Sequence, residues 1–183
     1  MKRAAPAFIF AMLAGASLAA QKPSPKEPTS YRLDNYGAPV PATLKGATVL
    51  STARAFEAWS QKAAIFVDVL PRPPKPAGLP KEAVWRDAPR QDIPGSVWLP
   101  DTGYGELAAP TQRYFESALA RATRDDKSKP LVFYCRKDCW MSWNAAKRAV
   151  SIGYSKVSWY PDGADGWAEA GKPLEPREPE PRE

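Results

Sequence analysis

Leu131-Val132-Phe133-Tyr134-Cys135-Arg136-Lys137-Asp138-Cys139-Trp140-Met141-Ser142-Trp143-Asn144-Ala145-Ala146 reads as a buried strand that runs through a short loop into a helix. Leu131 to Tyr134 are apolar, β-branched or aromatic, and the alanine-rich run from about Trp143 to Ser151 has helix-forming composition. Both cysteines of the chain lie in this stretch. At such a junction the loop N–H groups and the helix dipole favour an anion, so Cys135 is read as a nucleophile. Arg136 and Lys137 add positive charge beside it, and Asp138 works against them. A structural disulfide, or two inert thiols, is the other reading of the same pair.

Upstream, Ala47 to Leu50 suits a short strand, and Ser51 or Thr52 can cap a helix to about Gln61 with Phe56 and Trp59 on its buried side. Ala64-Ile65-Phe66-Val67-Asp68-Val69 is apolar but for one acid, as expected of a strand covered on both faces. Leu70 to Pro94 carries Pro71, Pro73, Pro74, Pro76, Pro80, Pro89 and Pro94, which rules out regular structure over much of its length. A loop that long in a small domain points to function or to a partner surface. Ser96 to Leu99 is a brief strand, Pro110 opens a helix to about Arg124, Val157 to Tyr160 is a last strand, and Gly166 to Gly171 gives one helical turn. Strands alternating with helices predict a single α/β domain with a mainly parallel sheet, whose ligands sit at the carboxyl ends of the strands, where Cys135 falls.

Lys2 and Arg3, the apolar run Ala4 to Leu18 and the small residues to Ala20 read as a signal peptide cleaved near Ala19 or Ala20, which predicts export to the periplasm and no membrane span afterwards. The segment 21–46 is expected to be a partly disordered extension, and the proline-rich stretches at 21–30 and 175–183 to be solvated tails. The formal charge of +6 includes Lys2 and Arg3, and the remaining 24 basic residues against 20 acidic ones are spread along the chain, which argues against nucleic-acid binding. Histidine is absent. That removes the usual general base, the commonest metal ligand and any Cys/His or Ser/His/Asp arrangement. No motif calls for a cofactor or a metal.

Several separated pieces resemble rhodanese-like domains, in order and over about residues 47–174. They are Asp68 at a strand end, Asp92-Ile93-Pro94-Gly95-Ser96-Val97-Trp98-Leu99-Pro100, the Tyr134-Cys135 loop, Ala145-Ala146 with Gly153-Tyr154, and Asp162-Gly163 followed by Trp167 and Gly171. The segments Cys139 to Ala149 and Trp159 to Trp167 are similar to a periplasmic subgroup associated with pyrroloquinoline-quinone-dependent alcohol catabolism. The resemblance implies a rhodanese-like α/β fold, a sulfane-sulfur or thiol substrate, and a quinoprotein dehydrogenase or cytochrome as partner. It implies Cys135 as the nucleophile that carries sulfur as a persulfide, within a backbone anion cradle of Arg136, Lys137, Asp138, Trp140 and Met141.

The chain departs from the family at several points. Trp140 and Met141 stand where an arginine is usual, and Asp92 replaces a histidine. No arginine closes the loop, so phosphatase chemistry is not expected. Cys139, four residues after Cys135, can reach it if the loop turns helically, which would make the two a catalytic thiol–disulfide pair or a plain clamp on the loop. Tyr134, Trp140 and Trp143 are expected to wall the site as packing, without a chemical role. A non-catalytic binding module built on the proline-rich loop is the alternative function. Cu(I) handling by Cys135, Cys139 and Met141 is the third.

Overall fold

The apolar run Ile65–Asp68 (β2) lies beside Leu131–Tyr134 (β5) in parallel register, Ile65 opposite Leu131 and Asp68 opposite Tyr134. Every position of β5 is buried, which explains why its sequence is continuous rather than alternating. The computed structural model describes residues 24–80, 82, 84 and 90–182. Within it Thr48–Val49 (β1), Val157–Trp159 (β6), β5, β2 and Val97–Trp98 (β4) form one five-stranded sheet in the order β1-β6-β5-β2-β4, with all neighbours parallel. Here β3 denotes Arg90–Asp92 and β7 Glu175–Arg177, which pair antiparallel as a separate two-stranded ribbon.

Four helices cover the sheet: Thr52–Ser60 (α1), Ala109–Thr123 (α2), Trp140–Ser151 (α3) and Gly163–Glu169 (α4). Tyr114, Phe115 and Leu119 of α2 and the inner side of α3 pack on one face with Val67, Leu131 and Phe133. Ala55 of α1 with Ala164 and Trp167 of α4 pack on the other, against Phe66, Val132 and Tyr134. Alternate residues of each central strand therefore serve opposite cores. The expected α/β architecture is the observed one. Ser51 caps α1, its side chain accepting from the Arg54 N–H, and Arg124 ends α2 in the left-handed region.

The solvated C-terminal tail is a correction. Glu175, Pro176 and Arg177 pair with Asp92, Gln91 and Arg90, the Glu180 N–H donates to the Trp98 carbonyl at 2.9 Å, and the Tyr114 hydroxyl donates to the Glu180 carbonyl at 2.9 Å. Pro176 lacks an N–H, and a two-stranded ribbon leaves one side of each strand free of ladder bonds, so the proline costs no pairing there. The same ribbon places a strand, β3, inside the proline-rich stretch expected to be irregular. Helix α3 starts at Trp140 rather than Trp143, and α4 starts at Gly163 rather than Gly166.

The segment before β1 is packed rather than loose over much of its length. Asn144 of α3 accepts from the Arg32 N–H and donates to the Arg32 carbonyl, both at 2.9 Å, while the indole N–H groups of Trp140 and Trp143 donate to the carbonyls of Pro39 and Thr43. It lies as a strap across α3, which is why that helix is buried nearly all round. The expected signal segment, residues 1–20, lies outside the described residues, as do residues 81, 83 and 85–89 of the proline-rich loop. No helix among the described residues is long and apolar enough to cross a membrane.

Candidate active site at the Cys135 loop

Cys135 follows the last residue of β5, and α3 begins one residue after Cys139, so strand and helix fix both ends of a five-residue loop. Asp138 takes φ 52°, a left-handed conformation that turns the chain back on itself. That turn brings the two sulfurs together as a Cys135–Cys139 disulfide, with Cα atoms 6.5 Å apart. Cys135 is fully buried and Cys139 is 4% exposed. The neighbouring side chains of Arg136, Lys137 and Asp138 are exposed.

The loop is held from outside. The Trp140 N–H donates to the Tyr36 carbonyl at 2.9 Å, and the Lys137 N–H to the Asp165 carboxylate at 3.2 Å. Two of the five amides expected to form an anion cradle therefore have protein acceptors. The oxygens of Arg136 and Cys139 lie 3.6 Å from Cys135 Sγ, and they are carbonyls. In the disulfide-closed loop the sulfur thus faces acceptors.

Of the three aromatic residues, Trp140 and Trp143 share the core cluster of Cys135 and Cys139, and Tyr134 does not. Tyr134 points to the opposite face of the sheet, where its hydroxyl donates to Ser96 Oγ at 2.8 Å and accepts from the Ile93 N–H at 3.1 Å. Trp140 and Trp143 stack edge-on at 5.4 Å and are fastened by the strap. Beside Cys139 lies a cavity of about 320 Å³ lined by Tyr36, Leu70, Pro71, Met141, Arg136 and Cys139, together with the next residues of the proline-rich loop.

Gly163 shapes the loop from the other side. The Ala164 N–H donates to the Cys135 carbonyl at 2.9 Å, and Gly163, at φ +55°, leaves room for a Cβ only 2.6 Å from that oxygen. Gly163→Ala combines a left-handed backbone with a steric overlap, and is expected to cost about 2–3 kcal/mol in urea unfolding. An unchanged midpoint would contradict the assigned contact.

Asp68 and Asp92, both fully buried, form a cluster that no sequence motif announced. Arg90 Nε donates to Asp68 Oδ2 at 2.8 Å and lies 3.4 Å from Asp92 Oδ1, while Asp68 Oδ1 accepts from the Leu70 N–H. Among the described residues, neither oxygen of Asp92 has a hydrogen-bond donor. Burial, then the negative charge of Asp68, pushes the Asp92 carboxyl up to about 9, so the folded protein keeps a proton that an unfolded chain releases near pH 3.9. The stability this proton carries is complete below pH 4 and is lost as the pH climbs towards 9, with a slope of at most about 1.4 kcal/mol per pH unit. Asp92→Asn, whose amide can donate to Asp68 at any pH, is expected to flatten the melting temperature between pH 5 and pH 9 and to raise it at the alkaline end. Parallel pH profiles for both proteins would show otherwise.

Asp162 accepts from Thr52 Oγ1 at 3.2 Å, and Thr52 accepts from the Tyr160 hydroxyl at 3.0 Å. This chain ties α1 to the turn before α4. Asp162 stands at the N-cap of α4, but its side chain makes no capping bond.

The rhodanese-like domain family model matches residues 52–170. The chain belongs to the rhodanese-like family. Among solved structures it is similar to a thiosulfate sulfurtransferase from Pseudomonas aeruginosa at 16% identity and TM-score 0.48, over 73% of this chain and 21% of that one. It is also similar to a polysulfide-sulfur transferase homodimer from Wolinella succinogenes at 17% identity and TM-score 0.46, over 72% of this chain and 80% of the other. A persulfide-bearing variant of EanB with ergothioneine shares 21% identity at TM-score 0.50, over 78% of this chain and 35% of that one. No curated protein matches the sequence. In this rhodanese-like domain the Cys135 loop occupies the carboxyl end of a central strand, the place where parallel α/β sheets bind ligands.

Proposed function

We propose that the protein is an exported sulfur-handling enzyme or carrier in which Cys135 works as a persulfide or redox-active thiol and Cys139 resolves what Cys135 carries. The observation that carries this reading is the placement of both sulfurs, within bonding reach of each other, in the strand-to-helix loop of a rhodanese-like domain. A resolving thiol inside the loop allows two outcomes for a Cys135 persulfide: transfer of the outer sulfur to an acceptor, or expulsion of hydrosulfide as Cys139 closes the disulfide. Arg136, Lys137, Asp138, Trp140 and Met141 are assigned the backbone cradle of the opened loop. Export to the periplasm rests on the N-terminal sequence and accords with a disulfide. A quinoprotein dehydrogenase or cytochrome is the proposed partner, on the resemblance of the Cys139–Ala149 and Trp159–Trp167 segments.

The test is intact mass after the reduced protein meets thiosulfate or a polysulfide. A gain of one sulfur, lost on adding cyanide, is expected. Unchanged mass with both donors would refute the persulfide reading.

A further inference from the structure

The cavity beside the disulfide is bordered by one cysteine of the pair and not by the other. Cys139 lines it and Cys135, fully buried, does not. A nucleophile attacking a disulfide must approach in line with the bond it breaks, so the cavity offers Sγ of Cys139 as the atom attacked and Cys135 as the leaving group. The site is also suited to receive the leaving sulfur as a thiol. Two carbonyl oxygens, of Arg136 and Cys139, stand 3.6 Å from Cys135 Sγ and can accept from its S–H.

The walls describe the occupant. Leu70, Pro71 and Met141 give an apolar surface, Arg136 brings a guanidinium group, and among the described residues no acidic one lines the space. A volume of about 320 Å³ lies at the small end of ligand pockets, fitting a small molecule with an apolar body better than a compact inorganic anion. Guanidinium groups select a carboxylate or another planar acid.

We propose that this cavity admits a small organic thiol bearing an acidic group, which opens the disulfide by forming a mixed disulfide with Cys139. The inference rests on the sulfur-active reading of the cysteine pair and names its substrate class. In the first step the thiol sulfur bonds to Cys139 Sγ, the Cys135–Cys139 bond breaks, and the proton of the incoming thiol ends on Cys135. A second thiol then attacks the substrate sulfur of the mixed disulfide, releasing the oxidised substrate disulfide and the Cys139 thiol. Two thiols are oxidised and one protein disulfide is reduced.

The experiment uses the full oxidised chain with mercaptobenzoate, its neutral analogue mercaptobenzamide, and a cysteine-containing peptide without acidic residues, quenched by alkylation and mapped by peptide mass. The expected result is an adduct on Cys139 and opening about tenfold faster with the acid than with the amide, the discrimination one charge-assisted contact supplies. Arg136→Ala is expected to bring the acid down towards the amide. An adduct on Cys135, equal rates for acid and amide, or a peptide as fast as mercaptobenzoate would overturn the inference. If dithiothreitol opens the pair and Cys135 then gains sulfur while mercaptobenzoate shows no preference, the inference fails and the parent reading stands. If no thiol opens the disulfide and Cys135 gains no sulfur after forced reduction, both fail.

Discussion

Cys135→Ser is expected to abolish sulfur uptake from both thiosulfate and polysulfide, with no mass gain at any donor concentration, while the protein stays folded. A hydroxyl at this position cannot form the S–S bond of a persulfide, and its pKa lies far above that of a thiol, so the loss is one of kind rather than degree. Replacing a buried sulfur by oxygen is a small change in volume. The two carbonyls at 3.6 Å are acceptors that a serine hydroxyl can use, which protects the fold. Cys139→Ser separates the roles of the pair. It should still gain sulfur on Cys135 but keep it longer, because nothing within the loop can expel it. A Cys135→Ser protein that took up sulfur at Cys139 would assign the carrier role to the wrong residue.

Arg148→Ala should produce the largest loss of stability. The guanidinium is 4% exposed and donates to the carbonyls of Thr102, Tyr104 and Gly105 at 2.9, 2.8 and 3.0 Å, with the Phe115 ring 5.8 Å away. Burial lowers its pKa from the ordinary arginine value, yet the group remains a cation serving backbone dipoles. Alanine strands three carbonyls and opens a gap between α3 and the loop after β4. The expected cost is about 3–5 kcal/mol, roughly 10 °C in melting temperature for a domain of this size. Arg148→Lys, with one donor centre in place of a fork, should recover only part of it. A loss under about 1 kcal/mol would show that water replaces the guanidinium. Gly103 packs against Met141 in the same loop, where no side chain would fit, so the damage should reach the cavity wall.

The parallel sheet was legible because its central strands are buried on both faces, and burial on both faces leaves an unbroken apolar run. Asp68 interrupts one such run and Tyr134 ends another, and each turned out to face the same carboxyl cluster. Asp92 could be seen only as a replaced histidine. What gives it its proton is burial and then the charge of Asp68, twenty-four positions earlier, against the opposing pull of Arg90 beside it, in a strand placed by the pairing of β3 with β7. The tails were misjudged for a related reason. Proline and charge signal solvation when a segment is read alone, but Glu175 to Arg177 and Arg32 to Thr43 satisfy their backbone groups on distant partners such as Arg90, Asn144 and Trp143.

By itself the sequence determined the α/β class, the order of the main-sheet strands and the helices, the position of Cys135 at the end of a central strand and the absence of histidine chemistry, because hydrophobic periodicity and residue type are local properties. Only the tertiary structure decided that the loop closes on itself at Asp138, that Cys139 rather than Cys135 meets the cavity, and that carbonyls face the buried sulfur. Those outcomes depend on backbone torsions and on contacts between residues more than a hundred positions apart, where burial and hydrogen-bond satisfaction act on the whole chain at once.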